Sequence, residues 1–406
     1  MPALPPDLLS DTGANALFDA FPNGALRYVG GCVRNGLLGE PIKDIDLATP
    51  LEPEGVIAAL KAAGIRYAET GIDHGTITAV IKGQPYEVTS LRRDVATDGR
   101  RAVVAYTKDW AQDAQRRDFT INALYADRSG TLFDPTGQGL TDIKTRTFRF
   151  IGEASERIAE DYLRILRYFR FMAWYAPEAK FDSRALAACR AGKPGLKKLS
   201  AERVWSEIKR LLSAPRPARA VNIMLQQGIL ETLLPEASNA QGLSLLTKLE
   251  SREAIAPDPY LRLMSMSARE PLPMALLTKR MKMSKVESKR LRAWAGDATA
   301  LAPGMEQRKA LAAIYTAGKQ VVMDRARLRA AGAEDPLISA RWMALSELAQ
   351  TWEQPKFPLS GKDLKAAGVA PGEAMGRKLK ALEALWVRSG FTADKPKLMM
   401  ALTLLG

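Results

Sequence analysis

The pattern of apolar residues changes near residue 150, and this change limits the folds that the chain can adopt. Before that point, short apolar or alternating runs predict β-strands, and "EPEGVIAALKAAG" has the period of a helix that ends at a glycine. "GTITAVI" and "YEVTSL" flank "KGQP", which predicts a β-hairpin. From about residue 153 onward, the segments are amphipathic at helical spacing. We therefore predict an α/β domain followed by a long all-helical part.

Basic residues are concentrated in the helical part. Residues 1–150 contain 17 Lys and Arg against 19 Asp and Glu, whereas the remainder contains 42 against 26. The first part is thus nearly neutral, with a net charge of −2, and the second carries a net charge of +16. A charge of this size predicts that the helical part binds a polyanion. A solvated basic surface without a partner is the alternative.

Composition argues against several classes of protein. Cys32 and Cys189 are the two cysteines, too few for a disulfide framework or a zinc cluster, so we expect a reducing, cytoplasmic environment. No apolar run approaches the roughly 18 residues of a membrane span, and "MPALPPDLLS" lacks the features of a signal peptide. The single histidine, His74, argues against a metal site built on several histidines.

Two aspartates separated by one residue follow a glycine pair in "YVGGCVRNGLLGEPIKDIDLAT". On an extended strand, Asp44 and Asp46 point to the same face, where a divalent cation relieves their repulsion. Gly30 and Gly31 offer backbone N–H groups at a helix start, and Arg34 offers a guanidinium, which together suit a polyphosphate. The stretch predicts half of a metal–nucleotide site.

The segment "RRDFTINAL" supplies candidates for the other half. Arg117 can contact phosphate, Asp118 can accept hydrogen bonds from a ribose hydroxyl, and Asn122 lies one helical turn further on. A plain helix start with Asp118 as the N-cap is the alternative.

A third segment, "EDYLRILRYFRF", predicts a helix with Asp161, Arg164 and Arg167 within an arc of about 120°. A surface helix with salt bridges is the alternative interpretation. Cytosine and adenine present an amino donor beside a ring-nitrogen acceptor, whereas guanine and uracil present a carbonyl beside an N–H. A carboxylate next to a guanidinium complements the first pattern, so Asp161 with Arg164 would accept CTP and ATP and reject GTP and UTP.

Four ordered stretches, "GGCVRN…DIDL", "RRDFTINAL", "FDPTGQGLTDI" and "EDYLRILRYFRF", resemble the class II tRNA nucleotidyltransferases. These are the CCA-adding enzymes and their kin, the bacterial poly(A) polymerases. The resemblance implies an α+β chain, in which an α/β nucleotidyltransferase head with a mixed sheet precedes an all-helical neck, body and tail. The implied divisions are residues 1–150 for the head, 151–230 for the neck and 231–406 for the body and tail.

The resemblance also implies partners and site residues. It implies transfer of CMP, CMP and AMP from CTP and ATP to the 3′ end of tRNA, without a nucleic-acid template, by a two-metal mechanism with Mg²⁺. Neither a membrane nor DNA is expected as a partner. The implied catalytic and metal-binding residues are Asp44 and Asp46, and the implied nucleotide-binding residues are Gly31, Arg34, Arg117, Asp118, Asp161, Arg164, Arg167 and Arg170. One departure is Asn35, since the family usually has aspartate at that position.

Two alternative functions and two structural questions stay open at this point. A poly(A) polymerase is the nearest alternative, although "AETGIDHGTITAV" stands where those enzymes typically have a basic stretch. A catalytically inactive RNA-binding relative is the second. Glu87 is either a third carboxylate at the metal site or a surface residue. The arginines around "DVATDG" mark either a mobile loop that affects the choice of nucleotide or an ordinary turn.

Overall fold

The computed structural model describes residues 3–98 and 101–404, with the backbone alone for 94–98 and 101–104. The chain divides into two compact units, Met1–Pro235 and Glu236–Gly406. A mixed sheet in the first unit and helices throughout the second confirm the predicted fold class. The division into head, neck, and body with tail stays a prediction.

Strands are found only in the first unit among the described residues. They are β1 Arg27–Val29, β2 Asp46–Thr49, β3 Arg66–Gly71, β4 Thr76–Ile81, β5 Gln84–Ser90, β6 Arg92–Asp98, β7 Arg101–Tyr106, β8 Tyr125–Ala126 and β9 Leu132–Phe133. Seven of them form one sheet in the order β3-β4-β5-β2-β1-β8-β9. Strand β2 runs parallel to β5, and the other neighbours are antiparallel.

The hairpin predicted around "KGQP" is present as β4 and β5. Its two-residue turn, Lys82-Gly83, has φ angles of 51° and 83°, the left-handed values that a type I′ turn requires. Residues 94–98 of the "DVATDG" stretch belong to β6, which pairs with β7 in a two-stranded ribbon, and Gly99 lies outside the described residues. The effect of this segment on the choice of nucleotide stays a prediction. Arg100 lies outside the described residues, and only the backbone of Arg101 is described.

The helices of the first unit precede, alternate with and then follow the strands along the chain. They are α1 Pro6–Leu9, α2 Thr12–Ala20, α3 Gly31–Leu38, α4 Pro53–Ala62, α5 Trp110–Gln115, α6 Gly139–Thr145, α7 Ala154–Glu160, α8 Leu163–Tyr175, α9 Ser183–Gly192, α10 Ala201–Leu212, α11 Ala218–Gln226 and α12 Ile229–Leu233. Short 3₁₀ helices occupy Ile72–His74, Thr120–Asn122 and Lys193–Lys198. Gly30 precedes α3 with φ 68°, a conformation that glycine adopts without strain.

The segment "EDYLRILRYFRF", predicted as one helix, contains the end of α7 and most of α8. The backbone of Asp161 is extended, with φ −151° and ψ 105°. Its carboxylate accepts a hydrogen bond from the backbone N–H of Leu163 at 3.1 Å, which stabilises the start of α8. The prediction that Asp161 lies on one helical face with Arg164 and Arg167 is therefore wrong, because Asp161 precedes the helix.

An aromatic cluster packs α8 against Phe119 of the "RRDFTINAL" motif and against Phe150. The ring of Phe119 lies 4.8 Å from Phe150, 5.4 Å from Phe171 and 6.1 Å from Tyr168, measured between centroids. These rings are buried, so they contribute both burial and favourable edge and tilted contacts. The cluster places the arginines of α8 beside Asp118.

The second unit is helical over its described length. Its helices are α13 Ala240–Arg252, α14 Pro259–Met266, α15 Pro271–Arg280, α16 Lys285–Gly296, α17 Gln307–Ala317, α18 Lys319–Ala331, α19 Pro336–Thr351, α20 Gly361–Ala366, α21 Glu373–Arg388 and α22 Lys395–Thr403. Arg262 and Glu250 form an ion pair of 2.7 Å in its interior. Over residues 3–98 and 101–404, none of the helices combines the length and the apolar character that a membrane span requires.

Candidate active site

A cleft of about 480 Å³ in the first unit contains most of the predicted site residues. Of the ten predicted residues, eight line it: Gly31, Arg34, Asp46, Arg117, Asp118, Asp161, Arg164 and Arg167. Asp44 and Arg170 are absent from its lining. The structure therefore brings together residues that are up to 136 positions apart in sequence.

Asp46 begins β2 and is partly buried, whereas Asp44 is exposed and precedes the strand, so the prediction that both aspartates lie on one strand is wrong. The neighbour of Asp46 in register on the parallel strand β5 is Glu87, so the two carboxylates project from the same face of the sheet. Burial, followed by the charges of Glu87 and Asp44, raises the pKa of Asp46 to about 6. The structure thus shows that three negative charges influence one another at this edge of the cleft.

This arrangement fits a divalent cation with an open coordination shell. Within the described part of the chain, no three His, Cys, Asp or Glu side chains form a ready-made metal site. Mg²⁺ typically takes one or two protein carboxylates and completes its shell with water and substrate phosphate oxygens. Asp46 can supply one such ligand, with Asp44 two positions before it as the second candidate, and the charges of Glu87 and Asp44, which add to burial in raising the pKa of Asp46, would attract a cation. Glu87 adds a third negative charge next to Asp46. The sequence alone did not decide whether Glu87 belongs to the metal site or to the surface.

Arg34 is buried and held by several partners. Its Nη1 donates to the side-chain oxygen of Asn122 at 2.6 Å, and its Nη2 donates to the hydroxyl of Tyr175 at 2.9 Å. Nε and Nη2 also donate to the side-chain oxygen of Asn35, at 3.1 and 2.8 Å. The departure from the family pattern at Asn35 therefore preserves an acceptor that orients Arg34. The guanidinium lies over the rings of Tyr175 and Phe171 as well, with its carbon 4.5 and 4.9 Å from their centroids.

A buried acceptor that the sequence analysis missed, Asp113, holds Arg117. Both Nε and Nη2 of Arg117 donate to Oδ2 of Asp113, at 3.2 and 2.9 Å. Arg116 and the hydroxyl of Tyr125 donate to the same carboxylate, at 2.9 and 2.7 Å. The two guanidinium charges hold the pKa of Asp113 well below its usual range despite its burial. The only sequence signal was the spacing of three and four residues to the two arginines.

Asp118 connects the 3₁₀ turn of the second motif to α8. Its Oδ1 accepts from the backbone N–H of Phe119 and from the side-chain amide of Asn122, both at 2.9 Å. Its Oδ2 accepts from Nε of Arg167 at 2.6 Å. These contacts outweigh burial and lower the pKa of Asp118 to about 2. Asp118 is therefore ionised at neutral pH and ties Arg167 to the cleft.

The two residues predicted to recognise the base both line the cleft, but each is paired with another residue. Oδ2 of Asp161 accepts from Nη2 of Arg203 at 2.6 Å, and Arg203 lines the cleft from α10. Nη1 of Arg164 pairs with Glu160 and donates to the backbone carbonyl of Arg157 at 2.6 Å. The sequence thus predicted the location of the pair, and it missed the two partners that orient it.

Arg170 lies one turn beyond Arg167 on α8 and contacts a different group. Its Nε donates to Oε2 of the buried Glu207 at 2.6 Å. Its guanidinium carbon lies 4.2 Å from the ring centroid of Phe171, a cleft-lining residue. Arg170 therefore supports the wall of the cleft through Phe171 without lining the cleft itself.

Guanidinium groups dominate the charge of the cleft. Its lining contains seven of them, from Arg34, Arg92, Arg116, Arg117, Arg164, Arg167 and Arg203, and three carboxylates, from Asp46, Asp118 and Asp161. Arg92 also donates to the backbone carbonyl of His74. A polyphosphate would neutralise the excess positive charge of such a cleft.

The chain matches two family models and named relatives. Residues 26–149 match the poly A polymerase head domain, and residues 180–241 match the probable RNA and SrmB-binding site of polymerase A. A solved structure of the Bacillus stearothermophilus CCA-adding enzyme in complex with CTP superposes with a TM-score of 0.79 at 26% identity, covering 99% of this chain and 98% of that one. The CCA-adding enzyme of Streptococcus pyogenes is 40% identical over 200 residues, which cover 49% of this chain and 48% of that protein.

The mouse protein named CCA tRNA nucleotidyltransferase 1, mitochondrial, is 34% identical over 399 residues. That alignment covers 95% of this chain and 89% of the mouse protein, and therefore includes both compact units. The family predicted from the four sequence motifs is confirmed by this relationship. The chain belongs to the CCA tRNA nucleotidyltransferase family.

Proposed function

We propose that this chain adds CMP, CMP and AMP, taken from CTP and ATP, to the 3′ end of tRNA. One observation carries the proposal: a single cleft contains the metal-binding candidate Asp46, an excess of arginines, and the base-recognition candidates Asp161 and Arg164. The relatives reported above carry the names CCA tRNA nucleotidyltransferase and CCA-adding enzyme, which supports the same substrates.

The reaction is a nucleotidyl transfer. The terminal 3′-hydroxyl of the tRNA attacks the α-phosphorus, a new P–O bond forms, the bond to the pyrophosphate breaks, and the hydroxyl proton passes to solvent. Divalent cations held by Asp44 and Asp46, which we propose are Mg²⁺, would supply activation of the hydroxyl and neutralisation of the leaving group. Positioning and charge neutralisation by the protein then account for the remaining catalysis.

The arginines of the cleft bind the triphosphate in this proposal. Arg117 is oriented by Asp113, and Arg34 by Asn35, Asn122 and Tyr175, so both guanidiniums are positioned before the substrate arrives. A guanidinium held in place loses less side-chain entropy on binding than a free one. Gly31 lies close to Asp46, because a Cβ atom added to this glycine would be 3.9 Å from Oδ2 of Asp46.

In this proposal, Asp118 contacts the ribose and Arg167 contacts the phosphates next to it. Each carboxylate oxygen can accept two hydrogen bonds, so Oδ2 of Asp118 can accept from a ribose hydroxyl while it still holds Arg167. Because Asp118 is ionised at neutral pH, it can act only as an acceptor there. A sugar lacking the hydroxyl would leave this acceptor without that partner.

Asp161 and Arg164 recognise the base in this proposal. Asp161 offers an acceptor for the amino group of cytosine or adenine, and Arg164 offers a donor for the ring nitrogen. Arg203 and Glu160 hold these two side chains through charged hydrogen bonds. A base that presents a carbonyl to Asp161 would instead bring two acceptors together, which is the basis for rejecting GTP and UTP.

The remaining assignments concern the helical part and the location of the protein. The net charge of +16 beyond residue 150 supports binding of the tRNA backbone by the neck, body and tail. The chain contains two cysteines, both buried and free in the structure, which is consistent with a reducing compartment. We propose the cytoplasm, although the names of the mouse, zebrafish and human relatives include the word mitochondrial.

The test is the length of the product made on a tRNA that lacks its CCA end. The purified chain receives this tRNA with CTP, ATP and Mg²⁺, and the product is resolved at single-nucleotide length. We expect extension by three nucleotides, with both CTP and ATP required. The Asp46→Asn variant should give no extension and serves as the control for contaminating activity.

The match to a poly A polymerase head favours a second candidate function, addition of a long A-tail. An enzyme of that kind has no fixed stop, because its product moves past the carboxylates after each addition. A ladder of long products made with ATP alone would refute CCA addition in favour of this alternative. An inactive parent protein with intact tRNA binding would instead support the RNA-binding relative.

A further inference from the structure

A second pocket lies entirely within the unit Glu236–Gly406, apart from the residues of the cleft. Its volume is about 430 Å³, which is within the range of small-molecule sites in proteins. Four helices, α13, α14, α16 and α18, contribute to its wall. The proposed nucleotidyl transfer does not use this pocket.

Three guanidiniums converge on the pocket, from Arg269, Arg325 and Arg329. Arg325 pairs with Asp297. Arg269 donates to the backbone carbonyl of Asp297 at 2.7 Å. Burial, followed by the positive charge of Arg325 and then that of Arg329, lowers the pKa of Arg269. Three cations beside one carboxylate repel one another, and an anion would relieve that repulsion.

A buried donor adds a second, independent indication of a ligand. Trp294 lines the pocket and is only 3% exposed, and its indole Nε1 is buried without a hydrogen-bond partner among the described residues. A buried N–H without a partner has lost its bonds to water and gained none in return, so such groups are rare unless a ligand or water satisfies them. Leu245, Met264 and Leu328 line the same pocket and make part of its wall apolar.

We propose that this pocket binds a nucleoside monophosphate unit. The phosphate would contact Arg269 and Arg329, the base would pack against Leu245, Met264 and Leu328, and a base acceptor would receive the Nε1–H of Trp294. Guanidiniums suit phosphate, and an apolar wall suits the face of a base. The unit can come from a free nucleotide or from an unpaired nucleotide of an RNA chain, since both present the same phosphate and base.

The first experiment measures binding of AMP, CMP and inorganic phosphate to the full chain by calorimetry. The cleft also binds nucleotides, so all variants are made in an Arg167→Ala background that weakens it. Arg329→Ala should weaken AMP or CMP binding about tenfold, because a charged hydrogen bond is lost. Trp294→Phe, which keeps the ring and removes the donor, should weaken it about threefold. Arg292→Ala removes an exposed charge from the helix of Trp294 without touching the pocket, and should leave binding unchanged.

The second experiment distinguishes an RNA nucleotide from a free one. Affinity for a tRNA lacking its CCA end is measured for the same variants in the parent background. If free AMP and CMP do not bind the pocket, but Arg329→Ala and Trp294→Phe both weaken tRNA binding relative to Arg292→Ala, the occupant is an RNA nucleotide. Urea unfolding of each variant establishes that the fold is retained.

Two outcomes would overturn the proposal. In the first, Arg329→Ala and Trp294→Phe bind AMP, CMP and tRNA with the same affinity as Arg292→Ala. That result would exclude a nucleotide from this pocket. Inorganic phosphate binding as tightly as AMP, with no effect of Trp294→Phe, would reduce the pocket to a plain anion site. Neither measurement requires incorporation, so both results are independent of whether the chain adds CCA.

Discussion

Replacing Asp46 with asparagine should stabilise the metal-free protein at neutral pH, although it should abolish incorporation. Burial and the charges of Glu87 and Asp44 raise the pKa of Asp46 from 3.8 to about 6. Each pKa unit corresponds to about 1.4 kcal/mol, so the ionised Asp46 costs the folded state roughly 3 kcal/mol at most. Asp46→Asn has nearly the same shape and carries no charge, so it removes this cost.

The dependence on pH gives the sign of the effect. With its raised pKa, the folded chain keeps the proton of Asp46 in a pH range where the unfolded chain has released it. The folded state is therefore favoured below pH 3.8, and this contribution is lost as the pH rises to about 6. The increase in the free energy of unfolding caused by Asp46→Asn should be near zero at pH 4 and should reach its full value above pH 6.5. Added Mg²⁺ should stabilise the parent at pH 7 and leave the variant unchanged, because it has lost a ligand.

Asp118→Asn is a matched control from the same cleft, with the opposite sign. Its contacts with Arg167 and Asn122 lower the pKa of Asp118 from 3.8 to about 2, so the ionised form stabilises the fold above pH 3.8. Asp118→Asn should therefore cost roughly 2 kcal/mol at pH 7. The control tests whether ionisation of Asp46 destabilises the fold while ionisation of Asp118 stabilises it.

The assay is urea unfolding in EDTA at pH 4, 5, 6 and 7. Because the chain has two compact units, the free energy must be assigned to the first one. Hydrogen exchange of peptides that contain β1 and β2 provides that assignment. If Asp46→Asn is no more stable than the parent at pH 7, burial and the neighbouring carboxylates do not raise the pKa of Asp46 as inferred here.

Two further predictions concern base choice and RNA binding. Asp161→Ala and Arg164→Ala should each raise misincorporation of GTP or UTP at least tenfold, measured in single turnovers with one nucleotide at a time. Arg203→Ala should raise misincorporation less, because Arg203 only orients Asp161. Unchanged selectivity in the first two variants would place base recognition elsewhere. Arg377 and Lys380 are exposed basic residues of α21, in the part of the chain with the net charge of +16. Replacing both with glutamine should lower the slope of log affinity for tRNA against log salt by about two, and an unchanged slope would exclude both from the RNA interface.

The sequence predicted features whose cause is local. The hairpin at "KGQP" was predictable because glycine tolerates the left-handed turn and the flanking residues alternate. The strand predicted at Asp46 is present, although it begins at that residue and leaves Asp44 outside. The four motifs were sufficient to identify the family, and eight of the ten residues inferred from it line one cleft.

Features that depend on distant partners were not predictable from the sequence. The helical period continues through Asp161, and nothing in that pattern indicates that an extended residue there separates α7 from α8. Glu207 follows Arg170 by 37 positions, and Arg203 follows Asp161 by 42. Their pairing depends on how α10 packs against α8, which a single sequence does not encode in any local pattern.

The acceptors around the cleft determine how its arginines can act. Arg117, Arg164 and Arg167 form ion pairs with Asp113, Glu160 and Asp118, respectively. These pairs reduce the net charge of the cleft below what the number of arginines suggests, so attraction of the triphosphate is weaker than it would be to free guanidiniums. In return, the guanidiniums are fixed before the substrate binds, and little reorganisation is needed when charge develops on the leaving group. We therefore infer that the acceptors contribute to the rate of transfer more than to nucleotide affinity.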